Sequence, residues 1–214
     1  MIYPGPKSGT RSLCIGFVIL LVAIEGLLVG ADACLWGVPS WRQTTYQYGG
    51  FWVRLLHGWK PLYTAQPVVM FATYPFLHSD WQHVLGNGLA LVWLGEQLGE
   101  RIGPKRFALL LALSSLGGAV GFALLAQSLR PMVGASGIVM GLIAAWIVLE
   151  ARRMSREGQA RRYILRMIGI YVLGVIALNV LGTFLEAGGL AWETHLGGFI
   201  AAMVAAPLLI RFNP

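Results

Sequence analysis

The sequence predicts an all-α protein threaded repeatedly through a membrane, and three observations carry that prediction. The 214-residue chain is 57% hydrophobic and 12% charged, about half the charged share of a soluble domain. Its apolar residues fall in runs of membrane-spanning length. Its basic residues lie in short connectors between those runs, so the net charge of +7 reads as topology and not as a nucleic-acid surface. No stretch is left over for a soluble domain, so residues 1–214 read as one membrane domain. No cofactor is expected.

The first span covers residues 13–33, preceded by Lys7 and Arg11. Ala31-Asp-Ala-Cys34 looks like a secretory cleavage or lipid-attachment site. The apolar run before it exceeds the roughly 7–15 residues of a signal peptide, however, and Asp32 fits such a motif poorly, so the span is retained. Glu25 is costly in lipid and is expected to face the bundle or the outer interface. Cys14 and Cys34 would sit about 30 Å apart on one helix, beyond disulfide reach. From Leu35 to about Pro75 runs a connector rich in Trp, Tyr, Pro and Gly, too long to be structureless. Within it Trp52, Leu55, Leu56 and Trp59 recur at helical spacing, which predicts an amphipathic segment in the membrane interface, its aromatic rings acting as a depth anchor.

The second span, 81–98, carries Gly95, Gly99 and Gly103 at intervals of four, a face for close helix packing. The third, 107–126, has Gly117 and Gly121 on one side. Arg130 and Pro131 lead into the fourth, 133–149, followed by a basic linker over 150–162 that serves orientation. The fifth, 167–185, contains Asn179, read as an interhelical hydrogen-bonding group. A turn over 186–194 leads to the sixth, 195–210. With a cytoplasmic N-terminus, twelve of the sixteen Lys and Arg residues, Arg211 among them, fall inside. Arg42, Arg54, Lys60 and Arg130 fall outside. Both termini are therefore expected in the cytoplasm, and the second, fourth and sixth spans enter from the outer face. The chain shows no presequence rich in Arg and Ser, which points to a bacterial plasma membrane.

Those three spans are the ones that open with polar residues: His83 and Asn87, then Ser136, then His195. Counted from the inner boundary at 1.5 Å per residue, His83, Ser136 and His195 lie roughly 18, 20 and 23 Å up a core about 30 Å thick. Polar groups at one shared depth are expected to face one another or a wet cavity. His83 and Asn87, at i and i+4, share a helix face. A serine hydroxyl needs a base within reach, and His195 is the one available at that level. Gly134, Ala135 and Gly137 leave the hydroxyl unscreened. An oxyanion would find donors in the Ser136 backbone N–H, the Asn87 amide and the His83 ring. No acidic residue lies at that depth to orient the imidazole, so a Ser–His dyad is expected. A metal site from His78, His83 and His195 lacks an acidic or thiol ligand and is not expected.

These residues resemble the rhomboid intramembrane serine proteases. His78-Ser-Asp-Trp-Gln-His83-Val-Leu-Gly-Asn87 is similar to the family's His…His-x-x-x-Asn motif, Gly134-Ala-Ser-Gly137 to its Gly-x-Ser-Gly, and His195-Leu-Gly-Gly198 to its His-x-x-Gly. The resemblance covers about Phe71 to Arg211. It implies a six-helix bundle and cleavage of transmembrane protein substrates near their outer ends. It also implies Ser136 as nucleophile, His195 as base, His83 with Asn87 at the oxyanion, and substrate entry beside the fifth helix. Three positions depart from the family pattern. Val69-Met70 stands in place of the Trp-Arg pair of the first loop, Gly99 in place of a Glu near the inner end of the second helix, and Met140 in place of an aromatic one turn after the serine. The other readings are a non-proteolytic rhomboid-like binder of membrane clients, against which the intact Ser and His count, and a small transporter, for which no paired ionisable residues line the inner half.

Overall fold

The computed structural model describes residues 8–185 and 191–210. The 186–190 part of the last expected turn lies outside the described residues, as do Lys7 and Arg211. Seven α-helices follow in order: α1 (Ser8–Asp32), α2 (Trp41–Gly49), α3 (Gln66–Thr73), α4 (Trp81–Leu125), α5 (Ser136–Arg156), α6 (Arg161–Leu185) and α7 (Trp192–Leu209). Helix α4 is two arms, 81–102 and 104–125, broken at Gly103, whose φ of 72° and ψ of 167° are not helical. The left-handed φ suits glycine and Pro104 starts the next arm without needing an N–H partner. Gly103 therefore makes a turn and has no neighbour a Cβ would meet, so the predicted packing face stops at Gly99.

By length and composition, Gly9–Asp32, Arg101–Leu125 and Arg161–Thr183 are long and apolar enough to cross a membrane. The 81–102 arm and α5 fall outside that set because charged residues close them, Glu96 to Arg101 and Glu150 to Arg156, and α7 is only 18 residues long; all three open on polar side chains. Neighbouring helices, not lipid, receive those residues, which makes the lower hydropathy tolerable.

Helix α7 packs against both α4 and α5, and α1 lies along α4. Small residues set the spacing. A Cβ on Gly198 would fall 2.1 Å from the Gly137 carbonyl oxygen, and one on Gly197 would fall 2.2 Å from that of Gly117. The backbones of α7, α5 and the second arm of α4 are thus in direct contact. Along α1, a Cβ on Gly95 would stand 2.7 Å from Cys14 Sγ, and one on Gly99 2.4 Å from Thr10 Cγ2. The Cys14 thiol donates to the Leu91 carbonyl at 3.1 Å. Gly99 is where α1 seats itself, and a glutamate side chain there would collide with Thr10.

Helix α6 is different. None of its residues through Thr183 is buried; a seam through Ile164, Ile168, Val172, Val175 and Asn179 is half-buried, as are Met167, Gly169 and Gly182. It touches chiefly α5, where the Tyr171 ring meets Trp146 edge-on at 4.8 Å.

The connector between α1 and α4 is structured throughout. The predicted amphipathic segment is a short 3-10 helix, Val53–His57, stopped by Gly58 at φ 96°, so Trp52 and Trp59 meet as a tilted pair 6.2 Å apart instead of lining a longer helix. Phe51 pairs with Met132 through two backbone hydrogen bonds of 3.0 Å, tying the connector to the segment before α5. Met70 is fully buried beside Phe51, Val53 and Tyr74. Thr73 Oγ1 donates to the Gly49 carbonyl at 2.6 Å, and Gln66 Nε2 to that of Gln47 at 2.6 Å. Those contacts hold the stretch around Val69-Met70 without a Trp-Arg pair.

Glu25 is buried in α1 and faces the bundle, meeting Arg42 of α2 through both carboxylate oxygens at 2.9 and 3.2 Å. Arg42 also binds Asp32 at 2.6 Å and the His78 carbonyl at 3.0 Å. Burial works against the guanidinium's charge, but the hydrogen bonds to Glu25, Tyr46 and Asp32 more than offset it and hold its pKa above the ordinary value. It therefore stays cationic and staples α1, α2 and the start of α4 together.

Candidate active site

Ser136 is the first residue of α5, with Ala135 at its N-cap. The first turn of a helix has backbone N–H groups with no intrahelical acceptor. Ser136 is half-buried, while Gly134 and Gly137 on either side are buried. Gly134 has a φ of 118°, a left-handed conformation that a side chain would strain. Its N–H donates to the Tyr74 carbonyl at 3.1 Å. A Cβ there would fall 2.8 Å from His83 Nε2 and 3.8 Å from Asn87 Nδ2. The His83 ring and the Asn87 amide thus converge over the backbone just before the serine, and the Asn87 Nδ2 is buried with no hydrogen-bond partner.

His195 stands on α7, one residue after Thr194 and one turn before Gly198. A Cβ on Gly137 would meet Thr194 Cγ2 at 2.6 Å, and the Thr194 hydroxyl contacts Met132 Sδ. Ser136 and His195 are therefore chain neighbours of a pair already in contact. The imidazole Nε2 is buried without a partner, so the hydrogen bond to Ser136 expected of a dyad is not formed in this conformation. The Nδ1 side is occupied: Asn179 Oδ1, from α6, lies 2.6 Å away. Sequence reasoning placed Asn179 between helices but did not identify its partner. The depth count used for the other residues puts it roughly 18 Å above the start of the fifth span at Met167, the level of His83, and that count would have found it.

The outer end of α4 carries the rest. Asp80 caps the helix, its carboxylate accepting the His83 N–H at 2.8 Å. Slight burial works against its charge, but that bond and the Ser79 hydroxyl hold its pKa below the usual carboxylate value. Ser79 Oγ reaches both Asp80 Oδ2 at 2.7 Å and His83 Nδ1 at 3.1 Å. The hydroxyl donates to Asp80, and its contact with His83 Nδ1 follows the ring tautomer. The neutral ring presents an N–H at Nε2, toward Gly134, in the tautomer that leaves Nδ1 unprotonated.

His78 does not join a ligand set: its Nε2 accepts the Ala135 N–H at 3.4 Å, and its ring meets that of His83 edge-on at 5.0 Å. Among the described residues no three His, Cys, Asp or Glu side chains converge as a metal centre would require. Met140, one turn beyond the serine, is half-buried. An open groove of about 500 Å³ between α2 and α3, lined by Thr44, Tyr48, Thr73 and Phe76, includes none of these groups.

The Rhomboid domain family model matches residues 65–212. An uncharacterized protein of Mycobacterium tuberculosis is 32% identical over 146 residues, 66% of this chain and 58% of that protein. Rhomboid protease GluP of Bacillus subtilis is 30% identical over 135 residues, 62% of this chain and 24% of its own. RHOMBOID-like protein 2 of Arabidopsis thaliana is 26% identical over 177 residues, 82% of this chain and 47% of its own. The chain thus spans less than two thirds of the length of these relatives. With the family model covering more than half of it, and with a helical membrane bundle beneath that match, the chain belongs to the rhomboid family.

Proposed function

We propose that this protein is an intramembrane serine endopeptidase that cleaves transmembrane protein substrates near the outer membrane face, with Ser136 as nucleophile and His195 as base. It is proposed to lie as one domain in a bacterial plasma membrane, both termini cytoplasmic. The observation that carries this reading is the buried, unpartnered His195 Nε2 on a helix packed backbone to backbone against the one that Ser136 begins. Ser136 Oγ attacks the scissile carbonyl carbon while its proton passes to His195 Nε2. The oxyanion that forms takes hydrogen bonds from the Ser136 N–H, Asn87 Nδ2 and His83 Nε2. Collapse of that intermediate breaks the C–N bond, and the departing nitrogen takes the proton from His195. A water entering from the outer side then repeats the cycle on the acyl-serine and releases the new carboxyl end.

Against the alternative of a non-proteolytic binder of membrane clients, the retained Ser136 and His195 support the protease reading. The test compares purified wild type with Ser136→Ala and Asn87→Ala, by fluorophosphonate labelling and by cleavage of a helical membrane substrate. Wild type is expected to label and cut, and Ser136→Ala to do neither. Asn87→Ala should lose about 10²-fold in kcat with KM little changed. Equal labelling of wild type and Ser136→Ala, with unchanged cleavage, would end the proposal.

A further inference from the structure

The base in a serine hydrolase must present an unprotonated Nε2, so something has to hold the ring proton on Nδ1. Asn179 does this in a way that does not depend on how its amide is assigned in isolation. One end of the carboxamide lies 2.8 Å from the Val175 carbonyl oxygen, which only accepts, so that end must be the NH₂ group. The other end, Oδ1, therefore faces His195 Nδ1 at 2.6 Å and, being an acceptor, requires the proton there. With Nδ1 protonated the neutral ring has its lone pair on Nε2, the atom that is buried and unpartnered.

We infer that Asn179 is the positioning residue of the site, fixing the His195 tautomer and ring orientation so that the pair works as a Ser136–His195–Asn179 triad in which Asn179 takes no proton. The inference rests on the protease reading above. It adds that the third group comes from α6, which has no buried residue over 161–183. Asn179 touches neither nucleophile nor substrate carbonyl; it acts through the imidazole alone.

The test uses Asn179→Leu, which removes the acceptor, and Asn179→Asp, which keeps an acceptor oxygen at the same reach. Asn179→Leu is expected to lower kcat and the fluorophosphonate labelling rate together by about 10²-fold, with KM within twofold of wild type and an unchanged unfolding temperature. Asn179→Asp is expected to recover most of that loss. A role in packing alone would leave Asp no better than Leu, and either that result or an unaffected Asn179→Leu would overturn the inference. The tautomer is read independently of activity from ¹⁵N-histidine NMR of Ser136→Ala in micelles. His195 protonated at Nδ1 is the expected spectrum, and protonation at Nε2 overturns the assignment. If wild type shows no Ser136-dependent labelling, the protease reading fails, while the NMR result still decides whether Asn179 sets the ring.

Discussion

Replacing Gly198 with alanine tests whether the α5–α7 contact sets the chemistry. The new methyl would lie 2.1 Å from the Gly137 carbonyl oxygen and 2.8 Å from its carbon. Both are backbone atoms that cannot rotate away. Ordinary contact begins near 3.4 Å, so the helices must part by roughly 1 Å at this crossing, and a misplacement of that size costs about 10²-fold in rate. His195 lies one turn from the methyl on α7, and Ser136 is the residue next to Gly137, so the parting falls between the proposed base and nucleophile. Overpacking of this kind also costs about 1–3 kcal/mol of stability. The assay is kcat and KM on a helical membrane substrate, with fluorophosphonate labelling rate and unfolding temperature measured on the same preparation. A fall of about 10²-fold in kcat and labelling, with KM little changed, is expected. Gly174→Ala on α6, where a Cβ meets nothing within 4 Å, serves as control and should match wild type. Wild-type kcat and unfolding temperature in Gly198→Ala would refute the geometry.

Two further outcomes follow from the anchoring of α1. Arg42→Met leaves the Glu25 carboxylate, 1% exposed, without its partner. A loss of about 3 kcal/mol is expected, measured by denaturant unfolding in detergent, with the Glu25→Gln, Arg42→Met pair recovering part of it; equal stability of Arg42→Met and wild type would refute the staple. Gly99→Glu drives a side chain into Thr10 and should destabilise by about 1–3 kcal/mol. Adding Thr10→Gly should relieve it, and no relief would show that α1 does not seat there.

Hydropathy and periodicity suffice to place the long helices because lipid allows few alternatives to a hydrogen-bonded helix. Depth along each span is also legible, since rise per residue is fixed. This is how Ser136, His195, His83 and Asn87 come to one level from the sequence, and in the structure His83 and Asn87 do meet over Gly134. Rotation about each helix axis relative to a distant helix is not written in any local pattern. Asn179 therefore reads as interhelical glue until α6 and α7 are set side by side and its oxygen is found on His195. The same blindness hides Glu25 and Arg42, separated by a connector whose short helices have no membrane-length signature. Gly103 shows a different limit: spacing of four aligned it with Gly95 and Gly99, but the Gly-Pro step breaks the helix before that face can continue.

The glycine contacts have a mechanical consequence. The three segments whose main chains touch, α5, α7 and the second arm of α4, share their thermal displacements, so Ser136 and His195 fluctuate as one body. Asn179, proposed to set the ring proton, rides instead on α6, which touches chiefly α5 and buries none of its residues 161–183. On that proposal, a displacement of α6 alone would release the His195 tautomer while leaving Ser136 in place.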